Sequence, residues 1–209
     1  MHVPDAREKE IAARYFSPFI GRFSECKAVL DVASGRGFLL KLFKHAGITA
    51  KGIELDEELC RQCRERGLDV EQASFFDYLK NCPCESADGA VASHIIEHFA
   101  PKDVEELFRL LAPVLKPGAP FLIMTPNPRN LRRMVGDFWR DPTHVRPYPG
   151  SAIGKLLKSA GGWEGVESAE YSDRRPSLRR KIIYAIRNAL LGSYLVGDDV
   201  YVIARRVKD

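Results

Sequence analysis

Trp139, Arg140, His144 and Arg146 fall within eight residues of one another, in the stretch DFWRDPTHVRPYP at 137 to 149. Brought close together they hold the parts a small polar substrate needs: an apolar wall, a base in His144, and two guanidiniums to clamp an anionic group. The same residues also fit a plainer arrangement, with Trp139 anchoring a loop and the arginines solvated. A second set, HIIEH at 94 to 98, carries His94 and His98. A third is acidic: Asp31 in AVLDVASGRG (28 to 37), Glu54 in KGIELDEE (51 to 58), and Asp77, followed by Tyr78, in SFFDYL (74 to 79). Carboxylates bind vicinal hydroxyls well and favour a nearby positive charge, whereas they repel a phosphate.

The H-x-x-E-H spacing of HIIEH is also that of one class of zinc peptidases. Zinc would need a sustained helix with both histidines on one face, yet the apolar run GAVAS leads directly into His94 and Pro101 comes three residues after His98. No metal is expected there. The pairs Cys60/Cys63 and Cys82/Cys84 do not make a zinc site either, because the second has one intervening residue and the first sits in a helical pattern.

These residues must be positioned by an alternation of strands and helices. Apolar, β-branched runs at 28 to 33, 50 to 55, 89 to 94 and 120 to 126 read as strands. Helical spacing marks 57 to 66 and 103 to 115, the latter stopped by Lys116-Pro117-Gly118. The alternation implies βαβ units and a mainly parallel sheet with helices on both faces. Residues 127 to 150 break the rhythm with four prolines and five arginines in 24 residues, and read as an irregular lid or substrate loop. Strand-like segments follow at 166 to 171 and 201 to 207. A basic helix is expected at about 177 to 192, where Leu178, Ile182, Ile186 and Leu190 share a stripe beside Arg179, Arg180 and Arg187. That stripe suits packing on the sheet, or contact with an anionic membrane surface or a protein partner.

With 209 residues, 45% of them hydrophobic, the chain is sized for a single domain over 1–209. No run is apolar and long enough to span a bilayer, and the first twenty residues lack the apolar core of a secretory signal. Five cysteines at no repeating spacing suit reduced thiols, so a cytoplasmic location is expected. The net charge of +4 is uneven: residues 172 to 209 hold nine Lys or Arg against four acids.

In an open parallel sheet ligands sit where strands end, and a turn poor in side chains lets one approach the backbone. The turn after Asp31 does not fit either nucleotide fingerprint, since position 40 is leucine and no GK[ST] follows. DVASGRG, with Glu54 closing the next strand, resembles instead the cofactor site of class I S-adenosylmethionine-dependent methyltransferases, over nearly the whole chain. The resemblance implies a Rossmann-like, seven-stranded sheet with its last strand antiparallel, and S-adenosylmethionine as cofactor. It implies that Asp31, Gly35 and Gly37 frame the methionine part, that Glu54 accepts from both ribose hydroxyls, that Asp77 and Tyr78 lie beside the adenine, and that Ala33 and Leu55 also belong to the cofactor site. Ser93 and His94 would face the sulfonium. The family usually has glycine where this chain has Ala33, which fits if φ there is negative. The EH of HIIEH also resembles a pair many of these enzymes carry after the fourth strand.

A closer likeness of the 137–149 loop, preceded by TPNPRN, is to methyltransferases of bacterial surface-polysaccharide assembly. The expected reaction is methylation of an oxygen on a small, anionic or glycan acceptor, with His144 first and His98 second as base, and Trp139, Arg140 and Arg146 holding the acceptor. Two other readings stay open: an RNA methyltransferase, suggested by the C-terminal charge but lacking an RNA-binding module, which leaves nucleic acid unlikely as a partner, and a non-catalytic module that uses the fold to bind a partner.

Overall fold

A computed structural model describes residues 6–172, 182, 186 and 197–207. At its centre β1 (Val29–Val32), β4 (Gly89–Ser93) and β5 (Pro120–Pro126) are buried almost throughout, as continuous apolar runs in a covered parallel sheet must be. Successive residues alternate faces. Ala90, Ala92, Phe121 and Ile123 therefore pack beneath α4 (Phe75–Asn81), α5 (Pro101–Val114) and α7 (Gly150–Ala160), while Val91, Leu122 and Met124 meet Phe19 of α1 (Ala6–Ile20) and Phe43 of α2 (Phe38–His45) on the other face.

The outer strands are β2 (Ala50–Glu54), β3 (Asp69–Gln72), β6 (Trp163–Tyr171) and β7 (Asp199–Arg206), giving the order β3-β2-β1-β4-β5-β7-β6. β1 to β5 pair in parallel, and β7 is antiparallel to both β5 and β6. The last strand is thus the reversed one, as expected. α3 (Glu57–Glu65) starts where the Asp56 carboxylate accepts the Leu59 N–H at 2.9 Å, with Glu57 and Glu58 at its positive end. β3 exposes all but Val70, and β6, exposed along most of its length, has a bulge between Glu164 and Glu167.

The segment 127–150 is more ordered than its composition suggests. It holds α6 (Leu131–Gly136), capped by the Asn130 side chain on the Arg133 N–H, and a 3₁₀ turn at Phe138–Arg140. The buried side chains of Met134, Phe138 and Tyr148 supply the apolar anchors that make local helix worthwhile. The basic helix expected at about 177 to 192 lies outside the described residues except for Ile182 and Ile186, which are helical and exposed. Among the described residues no helix is long and apolar enough to cross a membrane.

Strand order reverses between β1 and β4, so the crevice at their C-terminal ends is where this topology places a ligand. Both strands leave the sheet through a left-handed residue that is not glycine: Ala33 with φ +64 and His94 with φ +52. The expectation of a negative φ at Ala33 is therefore corrected. The turn keeps a glycine-like backbone and tolerates the clash between Cβ and carbonyl. That conformation costs an L-residue about 1–2 kcal/mol, partly offset by alanine's lower entropy in the unfolded chain. Ala33→Gly is expected to stabilise the protein by about 1 kcal/mol in urea unfolding; an unchanged or lower midpoint would show that the turn is unstrained.

Candidate active site

The crevice has an acidic half. Gly35 (φ +54) and Gly37 (φ +70) turn the chain after β1, and a Cβ on Gly37 would strike Leu68 and Cys63 at 2.7 and 2.8 Å. At Gly35 a Cβ would meet nothing within 4 Å, so the backbone there borders open space. Glu54, ending β2, is fixed by three backbone N–H groups: Gly35 at 2.7 Å on one oxygen, Leu55 at 2.8 Å and Asp56 at 2.9 Å on the other. Its carboxylate is thereby aimed before any ligand arrives. The Leu55 side chain beside it is 71% exposed. Asp31 is buried, and burial, with the charge of Glu54, pushes its carboxyl up to about 7. Ser93 Oγ, at the end of β4, is buried without a hydrogen-bond partner.

A buried carboxyl, a second carboxylate with fixed orientation, an exposed turn backbone and an orphaned hydroxyl fit a ligand that brings positive charge and hydroxyl groups together. Asp77 and Tyr78 line a groove on α4 with Glu71, Ala73, Asn81 and Cys82, and the Ala73 N–H donates to the Glu54 carbonyl at 3.0 Å.

The other half is built on His94 and the turn after it. His94 Nε2 lies 3.1 Å from the Tyr15 hydroxyl of α1 and 3.9 Å from Asp199 of β7, and Nδ1 lies 3.4 Å from Glu97. Burial pulls the His94 imidazole down, but Glu97 and Asp199 outweigh it and the net shift is upward. Burial likewise raises the Asp199 carboxyl, although Arg133 of α6 pairs with it at 2.9 Å, and the Tyr15 phenol is raised by burial and then by Asp199. Tyr15, Arg133 and Asp199 were not foreseen, because nothing local marks them; they are 66 or more residues apart from the partners they meet.

Segment 127–150 folds against this half. The Val145 and Arg146 N–H groups donate to the Glu97 carbonyl at 2.8 and 3.3 Å, and the Tyr148 hydroxyl donates to the Phe99 carbonyl at 2.7 Å. This brings His98 and His144 together, ring centroids 4.6 Å apart. Arg140 and Arg146 do not converge on them: Arg140 is exposed beside Asp137 at 3.8 Å, and Arg146 lies over the Tyr148 ring at 5.1 Å. Trp139 is 59% exposed, edge-on to Phe138. As reasoned from Pro101, HIIEH is a strand end and a 3₁₀ turn at Ile96–His98, with α5 starting only at Pro101. Cys60 and Cys63 are buried with Leu40, Leu68 and Val70, and all five cysteines are free.

This fold, with Asp31 and Glu54 at the strand ends of its switch point, is that of the S-adenosylmethionine-dependent methyltransferases. A family model described as a methyltransferase domain matches residues 5–167, and the chain belongs to that family. Among solved structures, it is similar to a SAM-dependent methyltransferase from Archaeoglobus fulgidus, with 27% identity over 95% of this chain and 94% of that one, TM-score 0.81. The PH0226 protein from Pyrococcus horikoshii shares the fold at 15% identity over 98% and 93% of the chains, TM-score 0.69. So does human N-acetylserotonin methyltransferase in complex with SAM, at 15% identity over 94% of this chain and 52% of that one, TM-score 0.64. No curated protein matches the sequence. The cofactor is S-adenosylmethionine.

Glu54, with its carboxylate fixed by three backbone N–H groups, is open to a direct test. Glu54→Ala should weaken S-adenosylmethionine and its demethylated product alike by about 2 kcal/mol, the size of a hydrogen bond to a charged group. Calorimetric titration would show this, and equal affinity in the variant would remove Glu54 from the site.

Proposed function

We propose that the protein O-methylates a small polar or anionic acceptor, such as a sugar, a glycan end or a related metabolite. The observation that carries this reading is the pairing of His98 and His144 next to Glu97. In the neutral imidazole, His144 Nδ1 donates its hydrogen to the Phe138 carbonyl at 2.7 Å, which leaves Nε2, 3.9 Å from Asp141, with a lone pair. The Thr143 hydroxyl donates to Asp141 at 2.6 Å, so it accepts from His98 Nδ1 at 2.8 Å, and His98 Nε2 is left in the same state. Two imidazole lone pairs are suited to taking the proton from an acceptor hydroxyl.

Asp31, Ala33, Gly35, Gly37, Glu54 and Leu55 would hold the cofactor on the acidic side, with Ser93 and His94 at its sulfonium. Asp77 and Tyr78 would border the adenine. The cofactor supplies a methyl group on positively charged sulfur, which passes to the acceptor's lone pair while sulfur keeps the electrons of the broken bond. The protein contributes alignment and exclusion of water. Trp139 would close over the acceptor; Arg140 and Arg146, which lie beside Asp137 and over the Tyr148 ring, would have to swing towards His144 to hold its anionic group.

The likeness of the 137–149 loop to enzymes of surface-polysaccharide assembly supports a glycan-type acceptor. The basic stretch 177 to 192 would serve contact with a membrane surface or protein partner. The test is turnover on a panel of sugars, sugar acids and RNA, guided by any small molecule that co-purifies. Methylation of RNA alone, or tight cofactor binding without turnover on any acceptor, would replace this reading.

A further inference from the structure

We propose that Glu97, His98 and His144 form a binding site for one divalent transition-metal cation at the acceptor end of the crevice. One ligating atom from each of the three lies within 4.8 Å of the other two. An ion centred among atoms no farther apart than this is within about 2.8 Å of each, so a small side-chain rotation reaches the 2.0–2.2 Å of nitrogen and oxygen ligands.

The surrounding bonds have the form that supports ligation. A metal-binding histidine ordinarily donates its other ring N–H to a fixed acceptor, which holds both tautomer and ring direction. Here both do so: His144 to the Phe138 carbonyl, and His98 to the Thr143 hydroxyl, itself held by Asp141. In the neutral ring each then has Nε2 left to act as a ligand, that of His144 lying 3.9 Å from Asp141. Glu97, 1% exposed, is steadied by the Thr125 hydroxyl at 3.0 Å on one oxygen and faced by His94 on the other, with lone pairs to spare. The two halves of the site are clasped by the Val145 and Arg146 N–H groups on the Glu97 carbonyl.

This is not the geometry weighed from the H-x-x-E-H spacing, which would have paired His94 with His98. His94 is turned instead towards Tyr15 and Asp199. Two imidazoles and one carboxylate select Mn²⁺, Co²⁺ or Zn²⁺ over Mg²⁺ or Ca²⁺, which prefer oxygen. Three protein ligands leave positions open for a substrate. The site stands whatever the acceptor is; its role, in which the ion holds and polarises the acceptor hydroxyl in place of a free imidazole base, rests on the methyl-transfer reading above.

The experiment uses the full chain, free of any affinity tag, stripped with chelator and titrated with MnCl₂ by electron paramagnetic resonance and with ZnCl₂ by calorimetry. One ion per chain is expected, at least tenfold weaker in Glu97→Gln and His144→Ala. Thr143→Val keeps all three ligands but cannot accept from His98, and should weaken binding about tenfold. Unchanged circular dichroism in all three variants, with unchanged S-adenosylmethionine affinity in His144→Ala and Thr143→Val, would show that the fold is intact. No ion in the wild type, or equal affinity in every variant, overturns the site. If turnover then still depends on His144, the methyl-transfer reading survives with the imidazole as a free base; an ion whose removal leaves turnover unchanged overturns the role.

Discussion

His144→Ala is expected to lower turnover by about 10²–10⁴, the usual contribution of a positioned acid–base group. S-adenosylmethionine should bind the variant as it binds the wild type, because His144 makes its contacts with Phe138 and His98 and not with Asp31 or Glu54. The imidazole is mostly covered, its side chain 13% exposed, so thermal unfolding must be measured alongside. A parallel loss of stability and turnover would make His144 a packing residue. Unchanged turnover would remove it from the chemistry and leave His98 as the base.

The second large effect concerns Asp31 and pH. Its carboxyl is raised from 3.8 in the unfolded chain to about 7 by burial and by Glu54. Between these values the unfolded chain releases a proton that the folded one keeps, so the ligand-free protein loses stability as pH rises from about 4 to 7 and regains none above. The full shift corresponds to roughly 4 kcal/mol. Asp31→Asn should therefore stabilise the ligand-free protein at pH 8 by an amount of that order while weakening cofactor binding. A positively charged ligand favours the ionised carboxylate, so binding at pH 6 should release a proton and affinity should fall with pH below 7. Calorimetry in two buffers of different ionisation enthalpy measures that proton. A stability curve flat from pH 4 to 8, with no proton released, would show that Asp31 is already ionised in the free protein.

What the sequence disclosed follows from how local each signal is. β1, β4 and β5 are covered on both faces, so they appear as unbroken apolar runs within a residue or two of their true ends. β3 went unnamed because it is an edge strand with Val70 as its one buried residue. The acidic half of the candidate site was legible because Asp31, Gly35, Gly37 and Glu54 lie within 24 consecutive residues. The half around His98 and His144 was legible only as separate pieces. His98 and His144 could each be suspected, but their meeting depends on Val145 and Arg146 reaching the Glu97 carbonyl, and no periodicity records that. Tyr15, Arg133 and Asp199 were invisible for the same reason. The 127–150 segment was misread as irregular since its prolines and arginines outweighed the apolar anchors Met134, Phe138 and Tyr148.

The two margins of the sheet bear on how copies of this protein treat one another. An unpaired strand is a template for a neighbour's backbone, and a long flat one invites association. Here β3 shows Asp69 and Glu71 to solvent, paired with Lys51, while β6 shows Glu164, Glu167 and Glu170, with Arg22 and Arg129 bonded to the last two, and is bent by its bulge. A strand from a second molecule would have to strip water from these charged pairs and follow a kinked ladder. Among the described residues, both edges of the sheet therefore oppose the addition of an eighth strand.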